Sequence, residues 1–156
     1  MIKSLVISLI ALNLTTYSID KLNFYKVFES NSESLINIEI QKLRKLNSSN
    51  TKDAYLGALL MKKAKFQKNI KEKIEIFKQG KSLLEKAIQT NPKKIEYRFL
   101  RLVIQENCPK ILKYNSEIIE DSETIHNSYQ ELEFSIKKVV KKYAQKSKNL
   151  NPKLLQ

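Results

Sequence analysis

The sequence predicts an all-α fold, a single domain of five or six helices packed as antiparallel hairpins. Three observations carry that reading. Only two glycines and three prolines occur in 156 residues, so there are few breakers to punctuate a sheet. Apolar residues recur at spacings of three, four and seven, the period of a helix face. No segment combines alternating polarity with hairpin-turn residues at its ends, so no strand is expected. The length suits one compact domain, and the single cysteine, Cys108, permits no internal disulfide, so packing must supply the stability.

The chain opens with MIKSLVISLIALNLTTYSID, one lysine followed by an apolar run from Leu5 to Leu14 and then polar Thr15 to Ser18. The run is too short to span a bilayer and has the proportions of a secretory signal cut near Ile19, with Thr16 and Ser18 as the small residues before the cut. The expected division is therefore a signal peptide at 1–18, a helical domain at 19–150 and a frayed tail at 151–156, with the mature chain periplasmic or secreted.

Leu22, Phe24, Tyr25, Val27 and Phe28 form an aromatic lead-in that reads as a short helix. Ser32 then starts a helix with Leu35, Ile36, Ile40 and Leu43 on one side, closed by the polar run Asn47 to Asn50. Asn50 or Thr51 is the expected cap of the next helix, where Asp53 suits the positive first turn. Another helix runs from about Ile70 until Asn91-Pro92 stops it. The segment KKIEYRFLRLVIQEN is the most apolar and is expected to be central. Pro109 restarts the chain, and a long helix from about Tyr129 carries Leu132, Ile136, Val140 and Tyr143.

Gly80-Lys81-Ser82 has the ending of a phosphate-binding loop, but such a loop needs a second glycine five residues earlier, where backbone amides curl around phosphate. Glu75 stands there, within a continuous helical period. Gly80, Leu84, Ala87 and Pro92, with Leu56-Gly57 and Leu60 upstream, instead have a small, large, small and proline spacing that resembles a tetratricopeptide repeat. Gly57 and Gly80 are 23 residues apart, against about 12 in a regular repeat, so the resemblance over residues 51–106 implies one repeat-like hairpin and not an array. The phrases YLGALLMKKA and EYRFLRLVIQEN also resemble small, uncharacterised secreted helical proteins of bacteria. That resemblance implies a fold and an address, with no activity attached.

Catalytic and metal constellations are thin. His126 is the only histidine, so Glu123 and His126 make one Glu-x-x-His step where a di-iron bundle needs two. No glycine sits beside a serine in a nucleophile-elbow pattern, and Cys108 reads as a buried, inert thiol. The acids Glu117, Glu120, Asp121 and Glu123 read as a solvated helix end. A non-enzyme with no cofactor is the expectation.

The formal charge of +13, or +12 after loss of Lys3, comes mostly from lysine, and Arg44, Arg98 and Arg101 are the only arginines. Abundant Lys, Asn and Ile is what an AT-rich coding composition supplies, so the charge points to no specific nucleic acid. From Asn115 to Ile136 there are six acids and no basic Lys or Arg, and from Lys137 to Lys148 six lysines and no acid. Lys137, Lys138, Lys141 and Lys142 thus form a basic face opposite Ile136, Val139, Val140 and Tyr143. It is either the solvated side of a core helix or a surface for anionic membrane or an acidic partner.

Lys94, Arg98, Arg101 and Gln105 share one face of the central helix, and paired arginines suit bidentate bonding to carboxylates. The acids are either internal, such as Glu117, Glu120 or Asp121, or belong to an external ligand. The functional expectation is a binding or assembly module that recognises a peptide or protein surface in a groove, with Arg98, Arg101, Tyr97, Lys94, Gln105, Tyr55 and Met61 as groove candidates. The alternative is a binder of anionic membrane or polymer through the basic face.

Overall fold

A computed structural model describes residues 18–155, and all but the last residue of the expected signal peptide lie outside that range. Seven α-helices, not five or six, are present among the described residues, and no strand. They are α1 Lys21–Glu29, α2 Glu33–Arg44, α3 Asn50–Lys63, α4 Ile70–Thr90, α5 Ile95–Asn107, α6 Ile118–Asn127 and α7 Phe134–Ala144. Short 3-10 turns lie at Ala64–Phe66, Lys110–Leu112, Tyr129–Glu131 and Pro152–Leu154.

Side-chain caps set several starts by satisfying amides that a helix leaves unpaired. Asp20 accepts from the Asn23 amide before α1, Ser32 from Leu35 before α2, and Asn69 from Lys71 and Glu72 before α4. The α3 cap is Ser49, which accepts from the Lys52 amide, one position before the expected pair. The expected long C-terminal helix is broken. Tyr129 turns inward and its hydroxyl donates to the Lys137 carbonyl at 3.0 Å, and Leu132 is buried, so the chain makes a 3-10 turn and α7 begins only at Phe134.

The centre is shared between α5 and α3. Residues 54–61 are buried without interruption, so α3 is enclosed on every side and shows no amphipathic stripe. Its smallest residues explain how neighbours come so close. A Cβ placed on Gly57 would lie 2.6 Å from the Gly80 carbonyl oxygen, and one on Gly80 would lie 2.5 Å from that of Gly57. The two backbones touch, and α3 and α4 form a hairpin crossed at these glycines. The stretch between them, residues 58–79, is taken up by the end of α3, the 3-10 turn at 64–66 and the first turns of α4, whose Ile70 and Ile74 project past the core.

An aromatic cluster joins α1, α3 and α5. Phe24 lies 4.1 Å from Tyr55 and 5.6 Å from Phe28 between ring centroids, and Tyr25 lies 6.0 Å from Phe99. Glu96 is buried among them, where it accepts from the hydroxyls of Tyr25 and Tyr55 and from Lys21 at 3.1 Å. Burial first, and the Glu96 charge next for Tyr25, raise both phenol pKa values, so the hydroxyls stay donors to the carboxylate.

The tail is docked and not frayed. Glu106 at the end of α5 accepts from the Ser147 and Tyr143 hydroxyls, the Lys148 and Asn149 amides and the Asn149 side chain. His126 Nε2 accepts from the Asn151 amide at 3.0 Å, and Leu150 and Leu155 are buried. Two polar anchors, Glu106 and His126, and two leucines outweigh the entropy that frays an untethered end.

Candidate functional site

The expected groove residues do not gather. Tyr55 and Tyr97 are core residues, the first bonded to Glu96 and the second to the Thr51 hydroxyl at 2.8 Å, and Lys94 is an exposed residue at the start of α5. Neither tyrosine can meet a partner, because both rings serve the packing of α3 on α5. Met61 is buried as well, but it borders a cavity described below.

Arg98, Arg101 and Gln105 do share one face of α5, and α6 closes it. Arg101 is 5% exposed and holds Asp121 in a bidentate pair, Nε to Oδ2 at 2.7 Å and Nη2 to Oδ1 at 2.8 Å, while Nη1 reaches Glu85 of α4 at 2.8 Å. Arg98 Nη1 bridges Glu120 at 2.7 Å and Asp121 at 3.0 Å, and Gln105 donates to Glu117 at 2.5 Å. Tyr114 donates to the other Glu85 oxygen at 2.5 Å. Burial works to lower the Arg101 pKa, but the bonds to Asp121 and the Glu85 charge raise it overall. The acids the arginines demand are internal, so this face is a lock between α4, α5 and α6 and corrects the groove expectation.

The basic face of α7 is solvated. Ile136, Val140 and Tyr143 on its other side are buried in the core. Lys142 pairs with Glu29 at 2.6 Å, Lys137 donates to Gln130 at 2.7 Å, Lys138 lies over the Phe134 ring at 4.4 Å, and Lys141 is exposed. Half-buried Cys108 donates to the carbonyls of Tyr114 and Gln105, and burial pushes its thiol pKa up, so it is a weak nucleophile. No three His, Cys, Asp or Glu side chains converge as a metal site among the described residues. No helix among them is long and apolar enough to cross a membrane.

What remains is an open cavity of about 550 Å³ between α1, α3, α4, α5 and α7. Its wall is apolar where the helices splay: Phe28 from α1, Met61 from α3, Phe77 from α4, Phe99 and Val103 from α5, and Val139 from α7. Its charged lining groups are mostly cationic. Lys62, Lys65, Lys73 and Lys146 border it, against one acid, Glu29. The Lys62 ammonium donates to the Phe28 carbonyl and lies 5.3 Å from the Phe28 ring centroid. Burial, with Lys65 and Lys146 nearby, lowers its pKa to about 8.

No linear motif marks this cavity. Its walls come from five helices, and the one sequence signal was the Ile70, Ile74, Phe77 stripe of α4, which continues past the core. Among the described residues the chain is all-helical, with one open cavity whose wall is largely apolar. No family model matches the chain, and neither a curated protein nor a solved structure gives a significant match.

Proposed function

We propose that this chain is a non-catalytic binding module of tetratricopeptide-like hairpin build, working outside the cytoplasm, that captures the apolar part of a partner in the cavity between α1, α3, α4, α5 and α7. The carrying observation is an apolar space of about 550 Å³, within the roughly 300–1,000 Å³ of ligand pockets. The contact of Gly57 with Gly80 supports the hairpin reading. The secretory-like opening of the sequence supports the location.

The test is titration with a neutral dye that brightens in apolar surroundings, comparing the chain with a Val103→Trp variant that fills the cavity. Val103 is only partly buried, so the larger ring has room to enter the open space without displacing the core. Saturable brightening that Val103→Trp abolishes is the expected result. Equal brightening in both proteins would place dye binding elsewhere and sink the reading.

A second reading has one observation in its favour. Phe134, 74% exposed at the start of α7, stands beside Lys137, Lys138 and Lys141, an apolar tip in a cationic field suited to an anionic membrane surface. Co-sedimentation with anionic vesicles that Phe134→Ser weakens and salt abolishes is its expected outcome.

A further inference from the structure

We propose that the cavity holds a free fatty carboxylate, its acyl chain against Phe28, Phe77, Phe99 and Val103 and its carboxylate among Lys62, Lys65 and Lys146. The inference rests on the cavity-binding reading above and names the chemical class of its ligand.

The polar groups of the wall decide against a peptide. Asn107 already donates to the Val103 carbonyl at 2.7 Å and the Tyr143 oxygen at 2.9 Å, and Tyr143 donates to Glu106 at 2.7 Å. Cys108 is spent on two carbonyls, and Asn31 accepts from Lys65 at 2.7 Å. A peptide would bring amides and carbonyls that must be paired when buried, and each left unpaired costs about 1–3 kcal/mol. An acyl chain brings none. It needs only apolar wall, which the three phenylalanines and Val103 supply.

The charge arrangement asks for one anion. Glu29, the single acid at the cavity, already pairs with Lys142 at 2.6 Å. None of Lys62, Lys65, Lys73 and Lys146 makes an ion pair among the described residues. Lys62 sits where Lys65 and Lys146 repel it, and its ammonium has three donors of which the Phe28 carbonyl takes one. A carboxylate would relieve that repulsion and accept charge-assisted bonds at the border of a low-dielectric space, where they are strongest. Ile70 and Ile74 continue the Phe77 stripe of α4 outward, at i−7 and i−3, and are exposed.

The experiment is competition against the neutral dye, using the full chain at about pH 7, where a carboxylate is ionised and an amine is not yet discharged. The competitors are dodecanoate, dodecanol and dodecyltrimethylammonium below their aggregation limits, with anionic phospholipid vesicles in a separate arm. Dodecanoate is expected to displace dye at least about tenfold more tightly than the alcohol, with the cation weakest, since a charge-assisted bond exceeds a neutral one by that order. A Lys62→Gln/Lys146→Gln variant is expected to lose that advantage, read as the ratio of its own dodecanoate and dodecanol affinities, and an unchanged far-UV helical signal checks its fold.

Equal displacement by carboxylate and alcohol would overturn the inference while leaving the binding reading intact. So would a carboxylate advantage that survives in the double variant. Dye uptake that Val103→Trp does not reduce would remove both. Competition by vesicles alone would assign the lysines to a membrane surface and refute a free ligand.

Discussion

On one face of α5, Arg98 and Arg101 end in Glu85, Glu120 and Asp121; on the other, Phe99 and Val103 border a cavity whose four lysines find no acid of their own. Both faces concentrate positive charge, yet only the first is closed. The difference lies in what packs opposite. Across the arginine face stands α6, which brings Glu120 and Asp121, so both guanidiniums of that face are paired and the face is spent on cohesion. Across the other face the helices splay, and the lysines are left with aromatic rings, the Phe28 carbonyl and the Asn31 side-chain oxygen. Net charge alone would have ranked the two faces alike. Pairing separates a structural face from a candidate binding one.

The comparison breaks first at Asp121. An Asp121→Asn change leaves the Arg101 guanidinium buried with one partner fewer, and removal of one member of a buried pair costs about 3–5 kcal/mol. Chemical unfolding is expected to show a loss of that order, whereas Lys65→Gln on the cavity side is expected to move stability by less than about 0.5 kcal/mol. A small loss at Asp121 would mean that the arginine face is no lock.

The hairpin crossing is the next test, because it fixes how α4 leaves α3 before the cavity opens. Replacing glycine by alanine inside a helix ordinarily stabilises by about 1 kcal/mol. At Gly57 the added methyl group would meet the Gly80 carbonyl and the Leu84 amide, both backbone, so a loss of about 1–3 kcal/mol is expected instead. The sign alone decides, and a melting comparison of Gly57→Ala with the parent reads it. Stabilisation would show that the two backbones can part at no cost.

The smallest expected effect is in alkaline titration. Lys62 faces Glu29 from α1 and Lys65, Lys73 and Lys146 around the cavity, with Tyr25 and Tyr143 in its wall. Its folded pKa of about 8 lies below the ordinary 10.5, so between these values the unfolded chain holds the extra proton and stability rises with pH. Tyr25, Tyr55 and Tyr143 have pKa values raised above their ordinary 10, mainly by burial, so above about pH 10 the unfolded chain loses protons that the fold retains, and stability falls. Lys21, raised by its Glu133 and Glu96 bonds against the opposing effect of burial, loses its contribution above 10.5 in the same direction. Melting temperature is expected to pass through a maximum between these limits, and Lys62→Met is expected to remove the rising limb. A rising limb that persists in the variant would assign it to another group.

Much of this was legible in advance because helix faces are local. Periodicity placed α4 from Ile70 to its stop before Pro92, the run from Ile95 as a buried helix, and a helix in the aromatic lead-in, where Phe24, Tyr25, Val27 and Phe28 are all buried. The choice of Glu117, Glu120 or Asp121 as internal partners for the arginines was available from chemistry, since a bidentate cation wants a carboxylate and α6 is rich in them. Less legible were the break at Tyr129 and the docked tail. Both depend on a distant partner, the Lys137 carbonyl for one and Glu106 with His126 for the other.

The sequence by itself therefore determined the helical class, many of the segment boundaries and much of the buried set, because a 3.6-residue period, caps and prolines act within a few residues of one another. Tertiary structure alone decided which charges cancel, that Tyr55 and Tyr97 are core, and where open space lies. Lys62 and Lys146 are far apart along the chain, and a cavity is the residue of several helices failing to meet. That failure is a property of their mutual packing, and no single segment encodes it.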